Sequence, residues 1–341
     1  MIKNRFYFAF LLSFLNPLLA VARSGTVQWQ HTFSDPAELG WAVAASDQVY
    51  VGSLSGALYA VQAQSGLPTW GFNATDSLVL PATISEGSIY FTSRDGHLYA
   101  LDSSTGNKLW SFEVEAWASS PVVNGSVVYV GSLDFSLYAV NASTGLKLWS
   151  FPTQRALFSS PAVYKNIVYV TSMDQTLYAI DAVSHESLWS VNLEGFGSSP
   201  VLAQDSVYVG LQEGQVLAFN ATNGKLLWEF SADVSFQIPV LEKERVLVFG
   251  SNDTLFALDD LSGEEKWQLN TSSYFLLAPS VFNSTLYLPV PSALVAFDLE
   301  TKEELWTCQL QGTVAAAPTI GDGLIYVIYD STLYAIKSDS L

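Results

Sequence analysis

One cysteine, Cys308, is the whole thiol content of this 341-residue sequence. An intrachain disulfide and a cysteine-ligated metal site are therefore excluded. The thiol itself reads as a small buried hydrophobe in the strand after Trp306. The three histidines, His31, His97 and His185, are scattered without ligand spacing. Cations are scarce, with 14 Lys plus Arg against 32 Asp plus Glu and a net charge of −18. Such a surface excludes nucleic-acid partners, because phosphate-backbone recognition needs clustered cations. It also argues against adhesion to anionic membranes, and it favours solubility and a basic partner. Sustained helical periodicity is missing after residue 22, and so is any run of 18 apolar residues, which leaves no stable membrane anchor.

The first 22 residues are of another kind. Lys3 and Arg5 precede an apolar run from Phe6 to Leu19, broken at Asn16 and Pro17, and Ala20-Val21-Ala22 supplies a small-residue cleavage signature. This pattern predicts a signal peptide over 1–22 and a chain exported to the secretory-pathway lumen or beyond.

What is abundant is aromatic, and it recurs. Trp29, Trp70, Trp110, Trp149, Trp189, Trp228, Trp267 and Trp306 are separated by 41, 40, 39, 40, 39, 39 and 39 residues. A Leu-Tyr-Ala triplet keeps the same beat, at Leu58, Leu98, Leu137, Leu177 and Leu333, with looser copies at Val216, Leu255 and Leu294. So does a proline, from Pro81 and Pro121 to Pro318, with Trp41 in the matching place of the first unit. Within one unit, Asn124-Gly125 signals a hairpin, Val127–Gly131 a strand and Leu137–Val140 another. Leu146–Phe151 is a fourth, after the turn Ser143-Thr144-Gly145. Four short strands per ~40 residues make a propeller blade. Eight such sheets, apolar on both faces, bury those faces only by stacking in a ring.

The ends are complementary. The chain opens with a lone strand, Thr26 to His31, carrying Trp29, and closes on Leu333 to Ile336 with no fourth strand after it. The expected fold is all-β: a single eight-bladed β-propeller over 23–341, built of four-stranded antiparallel blades. Its ring is closed by the N-terminal strand, which sits beside residues 313 to 337.

The stretches from Leu98 to Trp110 and from Leu137 to Trp149 resemble the pyrroloquinoline-quinone (PQQ) repeat, L-Y-A-x-D-x-x-T-G-x-x-x-W. The resemblance covers residues 26 to 341. It implies that the repeated Trp docks each blade on its neighbour. It also implies one of two functions: a quinoprotein dehydrogenase holding PQQ and calcium, or a cofactor-free BamB-like scaffold. The single cysteine removes the adjacent-cysteine wall that many of those dehydrogenases use. Units of 39 to 41 residues leave no insertion to build a pocket. The expectation is therefore a scaffold binding a protein or extended ligand, without PQQ, calcium or another metal. The alternatives are a PQQ-dependent alcohol dehydrogenase and a carbohydrate-binding propeller.

No catalytic residue is singled out. Asp259-Asp260 with Glu264-Glu265, and Glu300 with Glu303-Glu304, fall in water-facing turns and read as solubility charges. Asp95, Asp134, Asp174, Asp253, Asp330 and Glu213 recur between second and third strands, where Asp caps turn amides. Trp117, Phe158, Phe196, Phe236 and Phe275 stand three or four residues before the repeated proline. They are expected near the channel mouth on one face, with Arg94 and Arg155 on the same side. Such a set serves either inter-blade packing or a ligand site.

Seven N-x-[ST] sequons, at Asn73, Asn124, Asn141, Asn220, Asn252, Asn270 and Asn283, take up more than half of the 13 asparagines. All fall in expected turns, where glycans are tolerated. With the leader they predict a eukaryotic secretory-pathway glycoprotein.

Overall fold

The computed structural model describes residues 25–35, 38–270 and 279–338. The leader and Phe275 lie outside these residues. Among the described residues there are thirty-two strands, β1 to β32 in chain order, arranged as eight four-stranded antiparallel sheets. Seven sheets are continuous in sequence, with strands paired in chain order; blade 3 runs from Val122 to Pro152 and blade 4 from Ala162 to Asn192. The eighth is built from both ends. Strand β1 (Thr26–Thr32) pairs with β32 (Thr332–Lys337), which pairs in turn with the two preceding strands, and the register runs from Thr26↔Lys337 to Thr32↔Thr332. The ring is thus closed by the N-terminal strand.

First strands pack on the first strands of neighbouring blades, so they are innermost and fourth strands form the circumference. The second and third strands carry the β-branched and aromatic runs, such as Val127–Gly131 and Leu137–Val140, and are buried on both faces. Fourth strands alternate exposed and half-buried residues. A register shift one residue before each Trp, as between Ala139 and Val140 opposite Trp149 and Lys147, leaves one residue outside the ladder, in blade 3 the half-exposed Leu148.

The repeated Trp reaches across to the following blade. In five blades its indole N–H donates to a backbone carbonyl there: Trp29 to Ala63, Trp70 to Ser103, Trp110 to Ala142, Trp189 to Ala221 and Trp228 to Asp260, at 2.9–3.1 Å, while Trp306 donates to the Ser338 hydroxyl at 3.2 Å. A tyrosine from the second strand of the Trp's own blade donates to the same oxygen, as Tyr326 does to Ala63, Tyr50 to Ser103 and Tyr169 to Ala221. The glycine of the T-G pair lies under the indole. A Cβ on Gly145 (φ +71°) would stand 2.7 Å from Trp110. Blades 4 and 7 lack this glycine. There His185 stacks on Trp149 at 5.0 Å, and the Lys302 ammonium lies 5.5 Å from the Trp267 ring, both residues at positive φ. Cys308 is buried, and burial pushes its thiol up.

Candidate functional site

Antiparallel blades send their connections to two faces. The turns between second and third strands share one face with the crossover segments that lead to the next blade. The two are tied by backbone bonds: Leu133 N to Trp117 O, Met173 N to Ala156 O, Gln212 N to Phe196 O and Ser251 N to Ser235 O, at 2.9–3.1 Å.

These bonds place the aromatic set, and they correct its expected arrangement. Trp117, Ala156, Phe196 and Ser235 are equivalent, so the aromatics do not form one ring. Phe236 is one residue further on and points inward. It is 4% exposed and packs on Phe230 and Phe256 at 6.0 and 5.6 Å, a core residue of the interface between blades 5 and 6. A one-residue offset in extended chain reverses the side chain, and counting back from proline does not reveal it.

Phe158 has a different origin. Each crossover starts at an amide bonded to a 2–3 turn. That amide is Val114 in blade 3, Leu193 in blade 5 and Ala232 in blade 6, each seven residues before the repeated proline. In blade 4 it is Thr153, eight residues before Pro161. Leu157 takes the buried place, and the extra residue, Phe158, is turned out to 50% exposure.

Three of the expected residues are brought together. The Arg94 guanidinium lies 4.3 Å from the Trp117 ring, and Trp117 meets Phe158 edge-to-face at 6.1 Å. This ladder spans blades 2, 3 and 4. Arg155 is exposed beside it, and Phe196 is half-buried one blade on. Two neighbours escaped the sequence reading, Phe135 (47% exposed) and Met173 (37%), in the 2–3 turns of blades 3 and 4. Phe135 has φ 73° where the equivalent Gly96 and Gly214 also have positive φ. A half-exposed phenylalanine held in the left-handed region is a conformation that packing does not reward.

Asp95, Asp134 and Asp174 are structural, as expected, whereas in blade 6 Asn252 caps the Thr254 amide and Asp253 stands one residue on, at φ 63° in the place of Gly96. Asp134 Oδ1 accepts the Ser136 amide at 2.9 Å and its Oδ2 accepts the Tyr138 hydroxyl at 2.6 Å. Asp95 with Tyr99 and Asp174 with Tyr178 repeat the pair. In blade 1 the carboxylate comes from the segment after β1, where Asp35 accepts from Tyr59 and Ser55. The D-x-x-x-Y spacing was the unread signal. On the opposite face, Asp259 caps the amides of Leu261 and Ser262 while Glu264, Glu265, Glu303 and Glu304 are exposed. Asp260 departs from that reading: it is buried, its carbonyl being the Trp228 acceptor.

Charge and sequons divide between the faces. Among the described residues Arg94 and Arg155 are the cations of the crossover face, and the lysines with Arg245 lie toward the other. Asn73, Asn252 and Asn270 point to the crossover face, and Asn124, Asn141, Asn220 and Asn283 to the other; five of the seven are last residues of strands. The crossover face from Asn73 round to Asn252 carries no sequon, and the ladder sits in that arc.

Among the described residues no three His, Cys, Asp or Glu side chains converge as a cation requires. The turn carboxylates Asp95, Asp134 and Asp174 spend both oxygens on turn amides and tyrosine hydroxyls.

The family model described as outer membrane protein assembly factor BamB matches residues 18–120, 112–194, 176–280 and 275–340. Among solved structures, BamB from Moraxella catarrhalis is similar at TM-score 0.74 and 17% identity, over 92% of this chain and 97% of that one. The computationally designed Ika8 protein is similar at TM-score 0.80 and 14% identity, over 89% and 98%. The quinohemoprotein alcohol dehydrogenase ADHIIG from Pseudomonas putida HK5 is similar at TM-score 0.75 and 14% identity, over 93% and 76%. At such identities these structures share the fold. No curated protein sequence matches.

Proposed function

The chain belongs to the family described as outer membrane protein assembly factor BamB, and from that premise we propose that it is a non-enzymatic scaffold that seats a partner protein on its crossover face across blades 2 to 4. The observation that carries this reading is the ladder Arg94–Trp117–Phe158. Aromatic residues and Arg are the side chains that anchor protein interfaces, because they offer large apolar area with a fixed shape. Phe158 in the ladder and Phe135 in the 2–3 turn of blade 3 are half-exposed, in an arc that no sequon interrupts.

The chain works without PQQ or calcium, it is exported after cleavage behind Ala22, and glycans occupy its sequons. The support is the saturated turn carboxylates for the first claim, and the leader and sequon excess for the others. Titration with PQQ and calcium leaves the visible spectrum unchanged, and glycopeptide mapping of natively exported material finds the sites occupied.

A photo-crosslinker at position 158 tests the surface in the exporting cell, with position 183 on the far face as control. Crosslinks to a defined protein at 158 and not at 183 support the reading. The reverse overturns it. Phe158→Ala and Phe135→Ala change the melting point little while reducing the crosslink yield; early melting would mark these residues as packing.

A further inference from the structure

Each inter-blade seam is filled near the circumference by two side chains, one from a fourth strand and one from the third strand of the next blade. Register fixes the pairs. They are Phe72 with Tyr99, Phe112 with Tyr138, Phe151 with Tyr178 and Phe230 with Phe256, with ring centroids 5.5–5.9 Å apart. Between blades 4 and 5 the same two places hold Val191, opposite Leu177, and Leu217, opposite Val209. Both rings are missing. The seam between blades 6 and 7 is aliphatic too, with Leu269 and Val295.

The gap left by two aromatic rings is open. A cavity of about 360 Å³ lies between blades 4 and 5, lined by Val191, Leu217 and Phe219, with Gln215 in its wall and Glu194 and Glu229 among its polar residues. That is ample for a single ring. The Oε1 of Gln215 is buried with no hydrogen-bond donor, an expensive state that a ligand donor would relieve. No cation lines the cavity, while two carboxylates do.

We propose that this slot is a binding site for an aromatic ring bearing a hydrogen-bond donor and a positive charge a few atoms away, an arylalkylamine such as a tyramine-like phenol or the same groups presented by a peptide. The ring replaces the missing Phe–Tyr pair, the donor satisfies Gln215, and the ammonium meets Glu194 and Glu229. The other seams supply the template: where a tyrosine is present, its ring fills this space and its hydroxyl reaches a turn carboxylate, as Tyr178 reaches Asp174 at 2.9 Å. The slot is separate from the ladder of blades 2 to 4.

Tyramine titrated into the folded exported chain, followed by ligand-observed NMR and by melting, tests the site. Saturable binding with a raised melting point is expected. Val191→Phe with Leu217→Tyr rebuilds the pair; it should weaken binding at least about tenfold without lowering the unliganded melting point. Gln215→Leu should weaken it by about tenfold through loss of the acceptor. Should the double variant melt early, Leu217→Phe alone gives the same reading. 3-(4-Hydroxyphenyl)propanoate, with the charge reversed, should bind more weakly than p-cresol, and p-cresol more weakly than tyramine. A blocked Tyr-Lys peptide that binds at least as well as tyramine identifies a partner's side chains as the source, and one that binds less well identifies a free amine. Absence of tyramine binding, or equal binding by the refilled variants, overturns the site.

Discussion

Blade 2, from Thr83 to Glu113, is one uninterrupted stretch of chain, whereas blade 8 is assembled from residues about 300 positions apart, yet the two are tied to their successors by the same contacts. In blade 3, Asp134 receives Tyr138 from its own turn; in blade 1, which receives the closing strand's Trp, the carboxylate is Asp35 and its tyrosine is Tyr59. Trp110 docks over Gly145, and Trp29 docks over Gly66. Local geometry is therefore conserved around the ring while the sequence origin of each group is not. A carboxylate is required at the tyrosine hydroxyl; which segment brings it is secondary.

The sharpest way to break this equivalence is to remove one partner altogether. Deleting residues 23–33 strips the β1 ladder and the Trp29 indole from blade 8. Loss of a large packed aromatic alone costs ~3–5 kcal/mol, so a large fall in the melting point is expected. An unchanged midpoint would mean that the closing strand contributes nothing.

A smaller break is made at the docking glycine. Gly145→Val adds a Cβ 2.7 Å from Trp110 at φ +71° and should cost roughly 2–4 kcal/mol in denaturant titration. Gly66→Val should cost the same, because a Cβ there would stand 2.4 Å from Trp29.

The carboxylates sharpen the comparison further. Asp134→Ala leaves the Ser136 amide and the Tyr138 hydroxyl without their acceptor and should cost about 1–3 kcal/mol. Asp35→Ala should match it if the closure is chemically equivalent. The pH dependence follows. Burial raises the Asp95 carboxyl, but donation from Tyr99, Thr75 and Ser93 outweighs it and holds the group below its ordinary range. Its stabilisation is present above the unfolded value of ~3.9 and is lost as pH falls through the folded value. Asp95→Asn should flatten that acid limb. Tyr99 and Tyr178, each pushed up to about 12, lose their contribution as pH rises from ~10 towards that value.

The smallest effect is expected at His185→Gly, which makes blade 4 like blade 3. Relief of a left-handed non-glycine is worth ~1 kcal/mol, and the lost stack on Trp149 ~0.5–1.5 kcal/mol. The melting point should barely move.

The architecture was legible because tryptophan spacing and the unmatched ends report ring number and closure directly. The T-G pair was legible as a repeat. Its cause, an indole seated on a glycine of the next blade, needed coordinates. The candidate site was legible in part. Arg94, Trp117 and Phe158 were singled out and do meet. Phe236 was placed with them because distance from a proline was read as position. Eight-residue crossovers into blades 4 and 8, from Thr153 to Pro161 and from Leu310 to Pro318, and seven-residue crossovers in others break that rule, since extended chain alternates its sides. Phe135 was hidden because glycine is the expected occupant of its turn. Val191 and Leu217 were readable as departures from a Phe and Tyr pattern, but only after register had shown that the two face each other.

The pairing of Thr26 with Lys337 has a mechanical consequence. In an antiparallel pair the segments leading into β1 and out of β32 leave from the same end. Tension between them loads the ladder one rung at a time, like a zipper and unlike a shear joint, beginning at Thr26. The seam that makes the ring continuous at rest is thus the place where a pulling force opens it with the least resistance.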